Sequence, residues 1–151
     1  MKYFLINIFV ASVLYGCGGG GTSQVVPPER ISGIIVPAQP DATANSLSIG
    51  GIDSDNNGIR DDIDRKIAFD SGSNPQDYAN AVTHAKSLQK AISNITATNS
   101  AAHVAVIACK ESATLQKMAL VTRATLDTTS RRNAYAEAFA GSEISNEACT
   151  K

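Results

Sequence analysis

Tryptophan is absent from the 151-residue chain, which has only four tyrosines and four phenylalanines. A fold without large aromatics has a light core, and a folded region of about 90 residues buries modest area, so a further constraint is expected. No charge of one sign prevails: 13 lysines and arginines face 14 aspartates and glutamates, a net charge of −1. That balance argues against a nucleic-acid partner. Missing too are a Gly-x-Ser-x-Gly elbow, a phosphate-binding glycine loop, a zinc signature and any recognisable nucleophile–base pair, so no catalytic residue is assigned and the expectation is a protein that is not an enzyme. Long apolar runs are also lacking. The stretch from Tyr3 to Leu14 is broken only by Asn7 and Ser12. Its dozen or so residues fall short of the roughly 20 that cross a bilayer as a helix. The next, Ala101 to Cys109, is shorter and carries His103.

What is present begins with an address. Met1-Lys2 supplies one early positive charge ahead of the apolar run, the pattern of a cleaved signal peptide rather than a permanent span. The run ends in Leu14-Tyr15-Gly16-Cys17, which resembles the lipobox of bacterial lipoproteins, although Tyr15 stands where a small residue is usual. The resemblance implies a cut before Cys17, lipidation of that thiol and anchoring in a membrane by acyl chains, each buried methylene contributing about 0.8 kcal/mol. Gly18 and Gly19 stand where an inner-membrane retention signal would carry aspartate, so the outer membrane is the expected destination, with the face left open. An ordinary secreted protein is the alternative, but no A-x-A-like cleavage site stands nearby.

With Cys17 acylated, Cys109 and Cys149 are left as one natural pair. In an oxidising envelope they are expected to form a disulfide, whose loop of about 41 residues is worth about 4 kcal/mol in the chain-entropy view. Two buried free thiols are the alternative.

Three segments follow: a signal peptide over 1–16, a lipidated, disordered Gly/Pro-rich tether over 17–50, and a calcium-loop plus helical domain over 51–151. Within the tether, residues 31–36 are β-branched and suit a short docked strand, weakened by Gly33. Beyond Arg60 the pattern is helical. A first helix carries Ile63, Ile67 and Phe69, and Asn74-Pro75-Gln76-Asp77 is a strong start for a second. That second helix has one apolar stripe: Tyr78, Val82, Ala85, Leu88, Ile92 and Ile95. A third, from about Ser100 past Leu120, is apolar on two faces and so reads as central. Thr129 or Ser130 caps a fourth, which Gly141 stops. The fold class is therefore mainly α, a small three- to four-helix bundle. His84 and His103, on different helices, read as solvated, as does the pair Arg131-Arg132.

The most informative stretch runs from Asp53 to Asp64, DSDNNGIRDDID, with five carboxylates in twelve residues opposed by Arg60 alone. It resembles the calcium loop of EF-hands, dockerins and thrombospondin type 3 repeats, with ligands at positions 1, 3, 5, 7, 9 and 12 and glycine at 6. The resemblance implies side-chain ligands from Asp53, Asp55, Asn57, Asp61 and Asp64, a backbone carbonyl from Ile59, and a sharp turn at Gly58. Two departures, Asp64 in place of a longer glutamate and Arg60 in place of an apolar residue, favour a single extracellular-type loop over an EF-hand pair. The plainer alternative is an Asn-Gly turn before a helix whose first acids complement its dipole.

These features together lead to the expectation of a calcium-stabilised, lipid-tethered envelope module that binds or supports. Its partners would be the membrane, through its anchor, and an envelope protein. The rivals are an envelope hydrolase using the loop acids, and an inhibitor or assembly partner of an envelope complex.

Overall fold

A computed structural model describes residues 29–108 and 110–141. The signal peptide, Cys17, Cys109 and Cys149 lie outside the described residues, and with them the lipidation and disulfide expectations.

The described chain opens with an antiparallel hairpin, β1 (Glu29–Ile31) and β2 (Ile34–Val36), in which Ile31 faces Ile34 and Glu29 faces Val36. Ser32 (φ 51°) and Gly33 (φ 82°) form its turn, both left-handed as a two-residue type I′ turn requires. A short helix α1 (Ala42–Ser46) follows, its first turn capped by Asp41, which accepts the Ala44 N–H. Then come α2 (Asp61–Ser71), α3 (Pro75–Ser93), α4 (Ala97–Ile107), α5 (Ser112–Thr125) and α6 (Thr129–Ala138). The fold is mainly helical, as expected. At the start of α3 the Asn74 side chain accepts the N–H groups of Gln76 and Asp77, with Pro75 in the first turn, so that expectation holds in detail.

The centre of the bundle is α3, which packs against α2, α4, α5 and α6. Its stripe divides the core in two. Ala81 and Ala85 join Ile59, Ile63, Ile67 and Val121 at one end, and Leu88 and Ile92 meet Ala134 at the other. Leu88 is fully buried, a position where truncation to alanine costs about 2–5 kcal/mol.

Five expectations are corrected. Residues 29–50, assigned to a disordered tether, are structured because partners far along the chain hold them. Arg65 on α2 bonds Glu29, the Pro37 carbonyl and Gln39, and Val36 is buried. The single third helix is two: α4 starts three residues earlier than expected, behind a Thr96 cap, and ends where Ala108 turns extended (ψ 141°). The central role passes from that helix to α3, leaving Leu115 and Leu120 largely exposed. Phe69, counted with Ile63 and Ile67 in the apolar pattern of the first helix, points outward instead. The last helix is capped by Thr128, one residue before the expected positions. No described helix is long and apolar enough to cross a membrane.

Candidate metal centre

The Asp-rich loop is closed at its base by the backbone. Asp61 donates its N–H to the Ile52 carbonyl at 2.8 Å, and the buried Asn45 side chain accepts the Ile52 N–H at 2.8 Å. Between these ties the chain reverses through left-handed Asn56 (φ 56°) and Gly58 (φ 88°). The reversal folds alternate side chains inward. One carboxylate oxygen each from Asp53, Asp55 and Asp61 lie within 4.8 Å of one another.

Repulsion among these acids is met by N–H groups of the loop itself. Asp53 accepts from Asn57 (3.0 Å) and Gly58 (2.9 Å), Asp55 from Asn57 (3.2 Å), and Asp61 from Ser54 (2.9 Å). The Asn57 amide nitrogen bridges Asp55 (3.1 Å) and Asp64 (2.6 Å), while its oxygen accepts the Ile59 N–H. The positive end of a neutral amide dipole thus stands between two carboxylates. Burial pushes the Asp64 carboxyl up to about 6; the Asn57 bond opposes this, and the charges of Asp55, Asp53 and Asp61 reinforce it.

Of the sequence-predicted ligands, Asp53, Asp55 and Asp61 are brought together directly, and Asp64 joins them through Asn57. The Ile59 side chain is buried in the core, and no described hydrogen bond reaches its carbonyl. The three converging carboxylates are donors of the kind that could hold a hard cation, on a loop tied at its base.

Arg60 is not the loop's counter-charge. Its guanidinium is fully buried and faces the bundle, paired through two bonds with Asp62 and reaching the Thr125 carbonyl and Asp127. Burial alone would raise the Asp62 carboxyl, but the bonds and charge of Arg60 hold it below the usual carboxylate range. Arg131, expected to be solvated, is likewise fully buried. It bonds Asp127 (2.6 Å) and the carbonyls of Asn45, Ser48 and Ile49. Asp127, in the α5–α6 turn, thus joins two guanidiniums that hold the segment before the loop and the loop's own Arg60 against the bundle. His84 and His103 are not solvated either: both are buried, their ring centroids 5.0 Å apart. Neither the arginine network nor the histidine pair has a local sequence signal, because each depends on which helices meet.

No protein family, curated protein or solved structure matches the chain. The functional reading rests on the loop and its surroundings.

Proposed function

We propose that this chain is a lipid-anchored protein of the bacterial envelope whose helical domain is ordered by one calcium ion in the 53–64 loop. It acts by binding or structural support rather than by catalysis. The observation that supports it is the convergence of the Asp53, Asp55 and Asp61 oxygens within 4.8 Å on a loop whose base is tied to the bundle. Asp53, Asp55, Asn57, Asp61 and Asp64 would hold the ion with the Ile59 carbonyl, replacing the dipolar contacts of the Asn57 amide. A groove of about 480 Å³ runs beside the loop, lined by Asp53, Lys86, Gln89 and Lys90 among others, and is where an envelope partner would meet a surface shaped by the ion. Cys17 supplies the anchor, and the outer membrane is the proposed address.

The test is thermal unfolding of the full chain in calcium, in magnesium and in chelator. Binding to the folded loop alone stabilises by RT ln(1 + [Ca²⁺]/Kd), about 2.7 kcal/mol at a hundredfold excess. That corresponds to a rise in melting temperature of roughly 10–20 °C. Magnesium, which demands a tighter octahedron, should raise it far less. Asp55→Ala should abolish the calcium response at little cost in chelator, since Asp55 is exposed. Asp53→Ala should abolish it too but lose stability even without calcium, because Asp53 also accepts two loop N–H groups. A wild-type melting curve indifferent to millimolar calcium would sink the reading.

A further inference from the structure

The groove beside the loop takes one wall from a single face of α3. Lys86, Gln89, Lys90 and Ser93 stand at i, i+3, i+4 and i+7, so their side chains share that face. Lys86 and Lys90 are exposed like charges one turn apart, and no acid stands three or four residues to either side of them on the helix. Among the described residues neither takes part in an ion pair. The other charges of the groove are already engaged. Asp53 accepts the N–H groups of Asn57 and Gly58 with its two oxygens, and the Arg60 guanidinium is buried and paired with Asp62. The charges without partners are thus the two ammonium groups.

Between them Gln89 is only 8% exposed, and its amide has a fixed direction. Its Nε2 donates to the Ile49 carbonyl at 3.3 Å and to Ser93 Oγ at 3.0 Å. A carbonyl can only accept, so the amide cannot be turned round. That leaves Oε1, which no described hydrogen bond reaches and which keeps some solvent-accessible surface. Ser93 Oγ, having accepted from Gln89, still holds a proton that no described bond uses. Gly50 and Gly51 on the other wall bring no side chain to fill the space. The groove therefore offers two cations, one neutral acceptor and one hydroxyl donor around about 480 Å³, within the roughly 300–1,000 Å³ of small-molecule sites. A bare anion would suit the lysines but bring no proton to the Gln89 oxygen, and a neutral sugar would leave the lysines unpaired.

We propose that this groove binds a hydroxylated anion, a sugar acid or a sugar phosphate. Its anionic group lies between Lys86 and Lys90, one hydroxyl donates to Gln89 Oε1 and another accepts from Ser93. This names the chemistry that the groove reads on the partner it meets, so it rests on that role of the groove, and on neither the calcium ion nor the anchor.

The experiment titrates the full chain with galacturonate, galactose 1-phosphate, galactose and acetate, following the Gln89 side-chain amide and the Gly50 and Gly51 backbone resonances. Calcium-free buffer keeps a failure here separate from a failure of the calcium reading. At least one of the two sugar anions should shift these resonances saturably, and the tighter of them identifies the anionic group as carboxylate or phosphate. Galactose, which lacks the charge, and acetate, which lacks the hydroxyls, should each bind about tenfold more weakly. Lys86→Gln combined with Lys90→Gln should bring the sugar anion down to the level of galactose without lowering the melting temperature, because both lysines are exposed and repel one another. Galactose or acetate binding as tightly as the sugar anions, sugar-anion binding untouched in the double variant, or no saturable shift with either sugar anion would each overturn the proposal.

Discussion

Gly51 and Gly58 both stand at positive φ, yet they are constrained differently. A Cβ at Gly58 would meet open space, so Gly58→Ala bears only the left-handed backbone penalty, about 1–2 kcal/mol. A Cβ at Gly51 (φ 65°) would overlap the buried Arg60 stem and the Asn45 side chain that accepts the Ile52 N–H. Neither neighbour can move without breaking bonds to α1 or to the α5–α6 turn. Gly51→Ala is therefore expected to destabilise the chain by several times the Gly58→Ala loss, as read from urea midpoints in chelator. At this scale the loop was legible: ligand spacing is a property of twelve consecutive residues, and Asp53, Asp55 and Asp61 converge as their alternation implies. The inward turn of Arg60 was not. Its partners Thr125 and Asp127 lie 65 and 67 residues away, and no local pattern reports them.

Among the elements, the capped start of α3 was legible, whereas the Asp41 and Thr96 caps and the interior break between α4 and α5 were not. Asn74 announces α3 because capping is decided within three residues, whereas nothing in Val106 to Glu111 marks the break that separates α4 from α5. Apolar periodicity also overstated burial, since Leu120 keeps the spacing of a stripe but faces outward, while Phe69, two residues after Ile67, is on the opposite side of α2 from its buried face. Segment 42–49 shows the opposite failure. It has no stripe of its own and is held by the Arg131 guanidinium, a Gln89 bond to the Ile49 carbonyl and the packing of Ile49 on Leu88 and Ile92, all distant in sequence, which accounts for its reading as linker. Arg131→Met should thus cost about 3–5 kcal/mol, as for breaking one side of a buried ionic network, since the Asn45 and Ser48 carbonyls would lose this donor while Ile49 would keep only Gln89. Hydrogen exchange should show the loss as faster exchange concentrated at residues 42–52, with α3 and α4 still protected. Uniform acceleration across all helices would contradict it.

For the whole molecule, two sets of buried titratable groups pull stability in opposite directions. Burial depresses both His84 and His103 to about 4, with the His103 charge adding to the effect at His84. The unfolded chain, with histidines near 6.5, binds more protons than the native one between those values, so stability is full above about pH 6.5 and falls as pH drops towards 4. Asp64, raised to about 6, contributes the reverse: stability present below its unfolded value of 3.8 and lost as pH rises through 6. Two histidines outweigh one aspartate. The chelated protein should have a lower urea midpoint at pH 5 than at pH 7, and His84→Gln should flatten that dependence. An unchanged midpoint would mean that the imidazoles are not held neutral by the fold.

The arginine network also has a consequence for the order in which the chain assembles. Arg131 reaches back 86 residues to Asn45, and Asp127 reaches back 67 to Arg60. A chain made from its N-terminus produces the acidic loop well before either partner exists, and closing separations of that length is slow compared with forming local helices. The bonds that fasten Arg60 and the segment before the loop to the bundle therefore form only when the α5–α6 turn arrives. Until then the loop has only its local ties, Asp61 to Ile52 and Ile52 to Asn45, so the docking of residues 45–60 onto the bundle is a late event that reports the C-terminal helix in place.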